Sequence, residues 1–315
     1  MSDSGAWLLL LALALDGLWG DPVYRWHPVR LIAQTIRFWE ARLRSWGAEG
    51  YWGGIALVLA TVALVVVTID ASTWAWQQLG TPWAWAWQVF LIWSFLALRD
   101  LVQHAARVGQ FLAEDDLPGA RKAVSWMVGR DTEQLDAAAC GRAAVESVAE
   151  SLCDGVVAPL FWFALLGLPG MACFKAVSTL DSMVGYRTET YRKFGWASAR
   201  LDDLLCWAPA RLTFVLLALV AWAMPGCSAR DAWRVGWRAH GQVASPNAGW
   251  SQAAMAGALR LKLRGPIWRN GRLSSSDWMG APDARENVGP TDLVRANRVV
   301  WSVAGLIGLV LIGML

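Results

Sequence analysis

The stretch RAAVESVAESLCDGVVAPL, from Arg142 to Leu160, decides how this chain is interpreted. Its first half carries carboxylates, and its second half opens an apolar run that continues to Phe174. In a membrane protein, charged groups kept beside apolar segments indicate a functional site rather than a plain surface. Acids that are sparse elsewhere crowd between Gly129 and Arg211. We therefore expect the site in that segment.

The composition is that of an integral membrane protein. Hydrophobic residues make up 56% of the 315 positions, whereas charged residues make up 17%, which is below the usual quarter for soluble domains. The 23 tryptophans suit the aromatic belts at the two membrane interfaces. A net charge of +3 is too small to indicate a nucleic acid partner. Five cysteines without a C-x-x-C pair favour neither a disulfide framework nor a zinc site.

The apolar runs predict an all-α fold, that of a polytopic integral membrane protein with cytoplasmic helical and loop segments. We expect a single membrane-embedded domain over residues 1–315. The predicted membrane helices are residues 6–19, 52–69, 83–98 and 299–315. The positive-inside rule assigns segments 99–155 and 226–298 to the cytoplasm.

Two further apolar runs, 156–174 and 212–225, create a topological problem. The first is broken by prolines and glycines, the second is short, and both are flanked on each side by basic residues. Two conventional crossings would carry the segment from Lys175 to Arg211 to the outer side, against the charge rule. We therefore expect re-entrant or broken half-helices, which are tolerated where protein buries them or where they line a cavity. Two ordinary crossings are the alternative.

Local signals predict several element boundaries. A basic amphipathic helix that lies in the membrane interface is expected from Val29 onward. The segment from Asp70 to Pro82 is expected to be an external loop, and a helix marked by Leu101 to Leu112 is expected to end near Leu117-Pro118-Gly119. Another helix is predicted from Asp136 to Leu152, and Asp154-Gly155 is expected to end it.

Glu146, Glu150 and Asp154 form an acidic stripe, because their i, i+4, i+8 spacing puts them on one face of a helix. Like charges at that spacing repel, so we expect a cation opposite them, either a metal ion or an arginine such as Arg130. The alternative is a plain solvated face. Asp202-Asp203 also suits Mg²⁺, because that ion is usually held by carboxylates beside phosphate groups.

Polar groups in and beyond this region are candidates for binding anions. GRDT, from Gly129 to Thr132, is either a helix N-cap or a ligand-binding segment. SPNAG, which begins at Ser245, either offers N–H groups to an anion at a helix start or forms an ordinary cap turn. His27 follows a turn, and a lone histidine is more often structural than catalytic. Arginines and a lysine near the acids could donate to phosphate.

Six groups of motifs occur along the chain in a characteristic order. They are GDP…HPVRLI, GRDT…LD, AVESVAE…DGVVAPLF, LPG…K…TLDSMVGY, FGWASARLDD…PARLT and SPNAGW…AAMAGAL. Several long motifs in order are far more specific than one short pattern. Over roughly residues 8–271, the chain resembles the CobD/CbiB family of cobalamin-biosynthesis membrane proteins, the adenosylcobinamide-phosphate synthases.

The resemblance implies an ATP- and Mg²⁺-dependent ligase. Such an enzyme joins (adenosyl)cobyric acid to 1-amino-2-propanol or its O-phosphate and gives (adenosyl)cobinamide or its phosphate. We expect an acyl-phosphate intermediate whose leaving phosphate is neutralised by Mg²⁺ and arginine. The expected partners are the corrinoid and aminopropanol substrates, membrane lipid and other cobalamin-assembly membrane enzymes. The expected location is the cell inner membrane, crossed several times, with the active site facing the cytoplasm.

The resemblance also suggests roles for residues of this sequence, in a single Mg²⁺–phosphate site made from both flanks of one broken helix. The catalytic candidates are Glu150, Asp154, Asp181 and Asp203. The Mg²⁺ ligand candidates are Glu146, Glu150, Asp154, Asp202 and Asp203. The substrate- and phosphate-binding candidates are His27, Arg30, Arg130, Lys175, Arg187, Arg200, Arg211, Ser245 and Asn247.

Four polar positions depart from the family's usual pattern. Ser151, Ser178 and Cys206 stand where asparagine is common, and Gln252 stands where glutamate is common. The departures motivate a second hypothesis, a diverged homologue that binds corrinoids or scaffolds corrinoid enzymes at the membrane without catalysis. A third hypothesis, a lipid-phosphate enzyme that uses Mg²⁺ carboxylates, ranks last because the chain lacks a paired D-x-x-x-D stripe on two helices.

Overall fold

The computed structural model describes residues 3–21 and 24–313, and helices dominate it. The α-helices of the described residues are α1 Asp3–Trp19, α2 Pro28–Ser45, α3 Tyr51–Gln77, α4 Thr81–Ser94, α5 Leu98–Ala113, α6 Leu117–Ser125, α7 Ala137–Leu152, α8 Ala158–Val184, α9 Trp196–Leu205, α10 Trp207–Ala223, α11 Ala229–Ala239, α12 Ala248–Leu259 and α13 Pro290–Gly313. The strands are β1 Leu263–Arg264, β2 Ile267–Arg269, β3 Arg272–Ser275 and β4 Trp278–Met279, and β1 pairs antiparallel with β4 as β2 does with β3.

Several helices have the length and apolar composition of membrane spans. Among the described residues, four helical stretches qualify, and a fifth qualifies if α9 and α10, which meet at a 43° bend, count as one span. The four stretches are Tyr51–Gln77, Thr81–Ala113, Ala137–Val184 and Pro290–Leu311. The predicted fold class, a polytopic helical membrane protein, is therefore confirmed.

The two problematic apolar runs differ in how they are built. Within α8, Gly167 has φ 67° and ψ −159°, so the helix is kinked there, and Pro169 follows without an N–H to donate. The run 212–225, in contrast, lies largely in the regular helix α10, and the bend comes before it, at Cys206. Whether either run crosses the membrane stays a prediction.

Three expected boundaries were wrong, each for a local reason. Helix α3 continues through Asp70, because the apolar residues around it are compatible with helix on both sides. The helix expected to end near Leu117-Pro118-Gly119 already ends at Ala113, and that tripeptide begins α6, since Asp116 caps the Gly119 N–H and proline suits a first turn. After α7 the chain does not stop at the expected Asp-Gly pair but passes through the π-helical turn Cys153–Val157 into α8.

The described residues form two compact units. The second unit consists of Leu98–Val157 and Trp207–Val310, and the first unit consists of the other described residues. In the first unit, α3 packs against α2 and α8, and α8 packs against α9. The single membrane-embedded domain stays a prediction, because compactness by itself says nothing of where a membrane lies.

Helix α12 is the centre of the second unit. Every residue from Gly249 to Leu259 is buried, and α12 packs against α7, α10 and α11. Small residues allow this close packing, since a Cβ added at Gly257 would lie 2.2 Å from the Asp231 carbonyl oxygen of α11. The SPNAG segment therefore leads into a helix made mostly of small residues.

Candidate active site

A polar cavity of about 640 Å³ lies in the second unit. Four segments of that unit line it, namely residues 127–130, one face of α7 with the turn that follows, residues 242–252, and the strand region from Arg264 to Asp277. The cavity therefore brings the acidic stripe together with a basic segment that lies far along the chain.

The acidic wall of the cavity is one face of α7. Glu146, Glu150 and Asp154 all line the cavity, and the Glu150 side chain is exposed to it. Other residues of α7, such as Val145 and Val148, are fully buried in the protein. Asp154 lies in the π-helical turn, a feature that occurs often at functional sites.

Glu146 is a structural link in the cavity wall. It is only 3% exposed. Its Oε2 forms an ion pair with Nη2 of Arg130, and its Oε1 accepts a 2.7 Å hydrogen bond from the backbone N–H of Arg264. Both oxygens are therefore engaged, and Glu146 joins the segment before α7 to strand β1. A metal ion at Glu146 would have to displace one of these two partners.

Glu150 is held by α12. Its Oε2 accepts a 2.9 Å hydrogen bond from Nε2 of Gln252, which is buried. A glutamate at position 252 would put two carboxylates face to face, and such a pair has to share a proton or a cation. The glutamine therefore keeps Glu150 in place without adding a second negative charge.

A basic wall comes from the strand region. Arg264, Arg269, Ser274 and Ser275 line the cavity, and Nη2 of Arg264 donates to Oγ of Ser275 at 2.9 Å. Arg264 has φ 63°, a left-handed conformation that is uncommon for a residue with a side chain. The bond from its N–H to Glu146 helps to hold this conformation.

Sequence reasoning missed the basic wall, although a signal was available. The segment IWRNGRL, from Ile267 to Leu273, places Asn-Gly between residues that can alternate in a strand, which is a strong hairpin signal. In the structure Asn270 and Gly271 have φ 52° and 71°, as a type I′ turn requires.

Asp131 holds that hairpin in place. Its Oδ1 and Oδ2 accept the N–H groups of Asn270 at 3.0 Å and Gly271 at 2.8 Å, and its own N–H donates to the Trp268 carbonyl at 2.9 Å. GRDT is not the N-cap of the following helix; the cap of α7 is Asp136, whose carboxylate accepts an N–H from the first turn of that helix.

The SPNAG segment forms a cap turn beside the cavity. Oγ of Ser245, a cavity residue, accepts the N–H groups of Asn247 at 3.2 Å and Ala248 at 3.3 Å. Oδ1 of Asn247 accepts a 2.9 Å hydrogen bond from Arg211, whose guanidinium lies 5.1 Å from the Trp250 ring centre. Arg211 therefore positions the start of α12, and an anion would compete with Ser245 for the same N–H groups.

Several other candidates lie in the first unit. His27 is buried, and its Nε2 lies 2.6 Å from Oδ1 of Asp21, a contact that anchors the start of α2. Arg30 is exposed on α2, and Lys175 is half-buried on α8. These three residues therefore have different surroundings, and their roles in substrate binding stay predictions.

The acids of α8 and α9 also belong to the first unit. Asp181 lies over Gly185, where an added Cβ would be 1.9 Å from its Oδ1. On α9, Nη1 of the exposed Arg200 lies 3.5 Å from Oδ2 of Asp203, and Sγ of Cys206 lies 3.7 Å from Oδ2 of Asp202. The exposed Arg187 is a second cation that acts electrostatically on the Asp203 carboxylate. A site that these acids share with the stripe stays a prediction.

The cavity suits Mg²⁺ in one specific way. This ion usually keeps several waters and binds through one or two carboxylates together with substrate phosphates. Glu150 and Asp154 both line the cavity that arginines also line, so this pair fits that mode of binding. Within residues 3–21 and 24–313, no group of three or more His, Cys, Asp or Glu side chains is arranged to hold a metal ion. The larger ligand set therefore stays a prediction.

The fold and the cavity together define a class, a polytopic helical membrane protein with a water-accessible site that carries both acids and arginines. Comparison with known proteins then gives the family. The family model described as CobD/Cbib protein matches residues 9–300, so the chain belongs to the CobD/CbiB family.

Relatives of this chain resemble it along nearly its whole length. The chain is 43% identical to cobalamin biosynthesis protein CobD of Rhodobacter capsulatus, over 96% of each chain. It is 41% identical to CobD of Yersinia enterocolitica, over 97% of this chain and 95% of the relative. It is 40% identical to cobalamin biosynthesis protein CbiB of Salmonella typhimurium, over 98% of this chain and 95% of the relative. No solved structure matches the chain.

Proposed function

We propose that this protein is an ATP-dependent amide ligase of cobalamin biosynthesis, which joins (adenosyl)cobyric acid to 1-amino-2-propanol or its O-phosphate. The observation that carries the proposal is the cavity of the second unit, where Glu150 and Asp154 share one space with Arg264 and Arg269 in a chain of the CobD/CbiB family. Amide formation from a carboxylate, an ammonium group and ATP needs groups of both signs in one water-accessible site.

The reaction has two steps. First, a carboxylate oxygen of the corrinoid attacks the γ-phosphorus of ATP, and ADP leaves as the acyl phosphate forms. Then the amine nitrogen attacks the acyl carbon, and the C–O bond to the phosphate breaks. The phosphate departs with that oxygen. Activation is required because a free carboxylate is a poor electrophile with no adequate leaving group.

The residues of the cavity suit the demands of these steps. Arg264 and Arg269 would donate to phosphate oxygens and stabilise the charge that develops on them. Glu150 or Asp154 would accept the proton that the amine must lose before or during its attack. Mg²⁺, when bound, would neutralise phosphate charge, and the carboxylate of this pair that does not take the proton would help to hold it. Because ATP is cytoplasmic, we place the active site on the cytoplasmic side of the inner membrane.

Genetic rescue tests the proposed step. A strain that lacks only this protein is expected to make cobalamin when supplied with cobinamide but not when supplied with cobyric acid. The intact chain should restore growth on cobyric acid, whereas Glu150→Ala should not. A fair control is Glu114→Ala, because Glu114 is an exposed acid that directly follows α5 and lies outside the cavity. Growth of the deletion strain on cobyric acid would overturn the proposal.

One contact favours a second candidate, a diverged homologue that binds corrinoids without catalysis. Gln252 is one of the four departures, and it bonds directly to the cavity residue Glu150. If this departure abolished catalysis, purified protein would not turn over, and Gln252→Glu would restore amide formation. The ligase proposal expects turnover by the unmodified chain, and normal turnover excludes the second candidate.

A further inference from the structure

Helices α10 and α11 pair as an antiparallel hairpin in the second unit. Near the hairpin turn, Ala221 of α10 packs in one cluster with Ala232 of α11. Farther from the turn, the ring centre of Phe214 lies 4.8 Å from that of Trp233. Gly236 packs on the same ring, since a Cβ there would lie 2.4 Å from Phe214 Cε2. Later residues of α11 therefore contact earlier residues of α10, as in an antiparallel pair.

The exposed side of α11 consists of two adjacent rows. Ala232, Val235, Gly236 and Ala239 are the buried side. Trp233 and Trp237, one turn apart, are 51% and 61% exposed. The second row repeats every fourth residue and is also exposed, and it contains Arg230, Arg234 and Arg238. A helix with this arrangement of tryptophan and arginine is typical of one that lies in a membrane interface.

The acid of α11 does not neutralise the arginine row. Asp231 bonds to the hydroxyl of Ser228 at 2.9 Å, and its Oδ2 lies 3.4 Å from Nε of Arg260. The row therefore keeps three positive charges on one side of the helix. Anionic headgroups complement that charge, since each cation near an anionic membrane surface contributes about 1 kcal/mol to binding.

The pairing limits where α10 can lie. If α10 crossed the bilayer upright, the antiparallel helix beside it would carry Arg234 and Arg238 into the hydrocarbon, where an arginine costs about 2.5 kcal/mol or more. Helix α10 has 17 residues, which gives about 25 Å at 1.5 Å per residue, less than the ~30 Å hydrocarbon thickness of a typical bilayer. Its exposed Leu219 and Trp222 still need an apolar or interfacial environment.

We propose that α10 and α11 form a hairpin that lies in one interface of the membrane and binds anionic phospholipid headgroups. The arginine row of α11 contacts lipid phosphates, the two exposed tryptophans lie at headgroup level, and the exposed apolar side chains of α10 contact acyl chains. Helix α10 does not cross the membrane, so the run 212–225 is interfacial. This inference is independent of the proposed ligase reaction.

Depth-resolved photo-crosslinking tests the proposal. The full-length protein is placed in nanodiscs of phosphatidylcholine and phosphatidylglycerol. Two diazirine probes are compared, one phosphatidylglycerol labelled in its headgroup and one labelled at the acyl tip, and labelled peptides are mapped. The headgroup probe is expected to label residues 229–239 and the acyl-tip probe is not. The candidate span α13 is the positive control for the acyl-tip probe.

A matched pair of triple variants isolates the charge. Arg→Gln at Arg230, Arg234 and Arg238 removes three positive charges. At about 1 kcal/mol each, this loss should weaken the binding of phosphatidylglycerol headgroups to α11 roughly 100-fold, which is measured as loss of labelling by the headgroup probe. Arg→Lys at the same positions should retain the labelling. Labelling of residues 229–239 by the acyl-tip probe, absence of labelling by both probes, or equal loss in both variants would overturn the proposal.

Discussion

Replacing Glu146 with glutamine tests whether this residue is a structural link or a metal ligand. The side chains of Arg130 and Glu146 are 12% and 4% exposed, so the ion pair is largely desolvated. Glutamine keeps an oxygen for the Arg264 N–H but loses the charge that Arg130 needs. Loss of a hydrogen bond to a charged group costs about 1.5–3 kcal/mol, and we expect Glu146→Gln to lower the free energy of unfolding by that amount.

A solvent-exposed ion pair of the same unit provides the control. Nζ of Lys262 lies 2.9 Å from Oε1 of Glu286, whose side chain is 55% exposed. Exposed pairs contribute about 0.2–1 kcal/mol, so Glu286→Gln should change the free energy of unfolding little. Both variants are measured by SDS-induced unfolding in mixed micelles. A double-mutant cycle with Arg130→Gln then isolates the coupling energy of the buried pair.

The two roles of Glu146 lead to opposite results. If Glu146 links the cavity wall, its variant loses stability in the absence of Mg²⁺, and the cycle shows strong coupling to Arg130. If Glu146 is chiefly a metal ligand, stability without Mg²⁺ is unchanged and the Mg²⁺ requirement for turnover rises. Equal unfolding free energies for Glu146→Gln and Glu286→Gln would refute the structural reasoning.

Three further predictions concern backbone contacts of the second unit. Gly257→Ala should destabilise the protein by about 1–3 kcal/mol, because the new Cβ would lie 2.2 Å from the backbone of α11. The control Gly305→Ala has open space around it and should be neutral or slightly stabilising. Thermal melts in detergent compare the two variants. Asp131→Ala should speed hydrogen exchange of the Asn270–Gly271 turn, and unchanged exchange would show that the carboxylate does not hold the hairpin. Asp136→Ala should cost about 0.5–2 kcal/mol as a lost N-cap, and an unchanged melting temperature would contradict this.

Much of the fold follows from local sequence. Apolar runs of sufficient length predict membrane helices, because a bilayer leaves backbone groups no partner except other backbone groups. The expected boundaries were wrong where the same residue type is compatible with two different local structures. Pro118 ends helices in some contexts but here occupies a first turn behind the cap of Asp116. The Asp154-Gly155 pair resembles a helix end, yet a π-helical turn carries the chain onward.

The acidic side of the candidate site could also be found from sequence, since Glu150 and Asp154 share one helical face by spacing alone. Its partners could not. Glu146 binds the backbone of Arg264, and Glu150 binds Gln252, across separations that no local pattern encodes. The hairpin that carries Arg269 had a local signal in Asn-Gly, but a basic, turn-rich segment obscured it. Long-range packing, which no local pattern predicts, therefore places the basic wall of the cavity opposite the acids.

The most direct test of the proposed reaction follows an oxygen atom. Cobyric acid labelled with ¹⁸O in the reacting carboxylate is incubated with the purified protein, ATP, Mg²⁺ and 1-amino-2-propanol or its O-phosphate, and the amide product and released phosphate are analysed by mass spectrometry. Activation through an acyl phosphate predicts one ¹⁸O in phosphate for each amide formed from fully labelled carboxylate, with one ADP released. Unlabelled phosphate, ¹⁸O in AMP, or no amide with either amine would contradict the account.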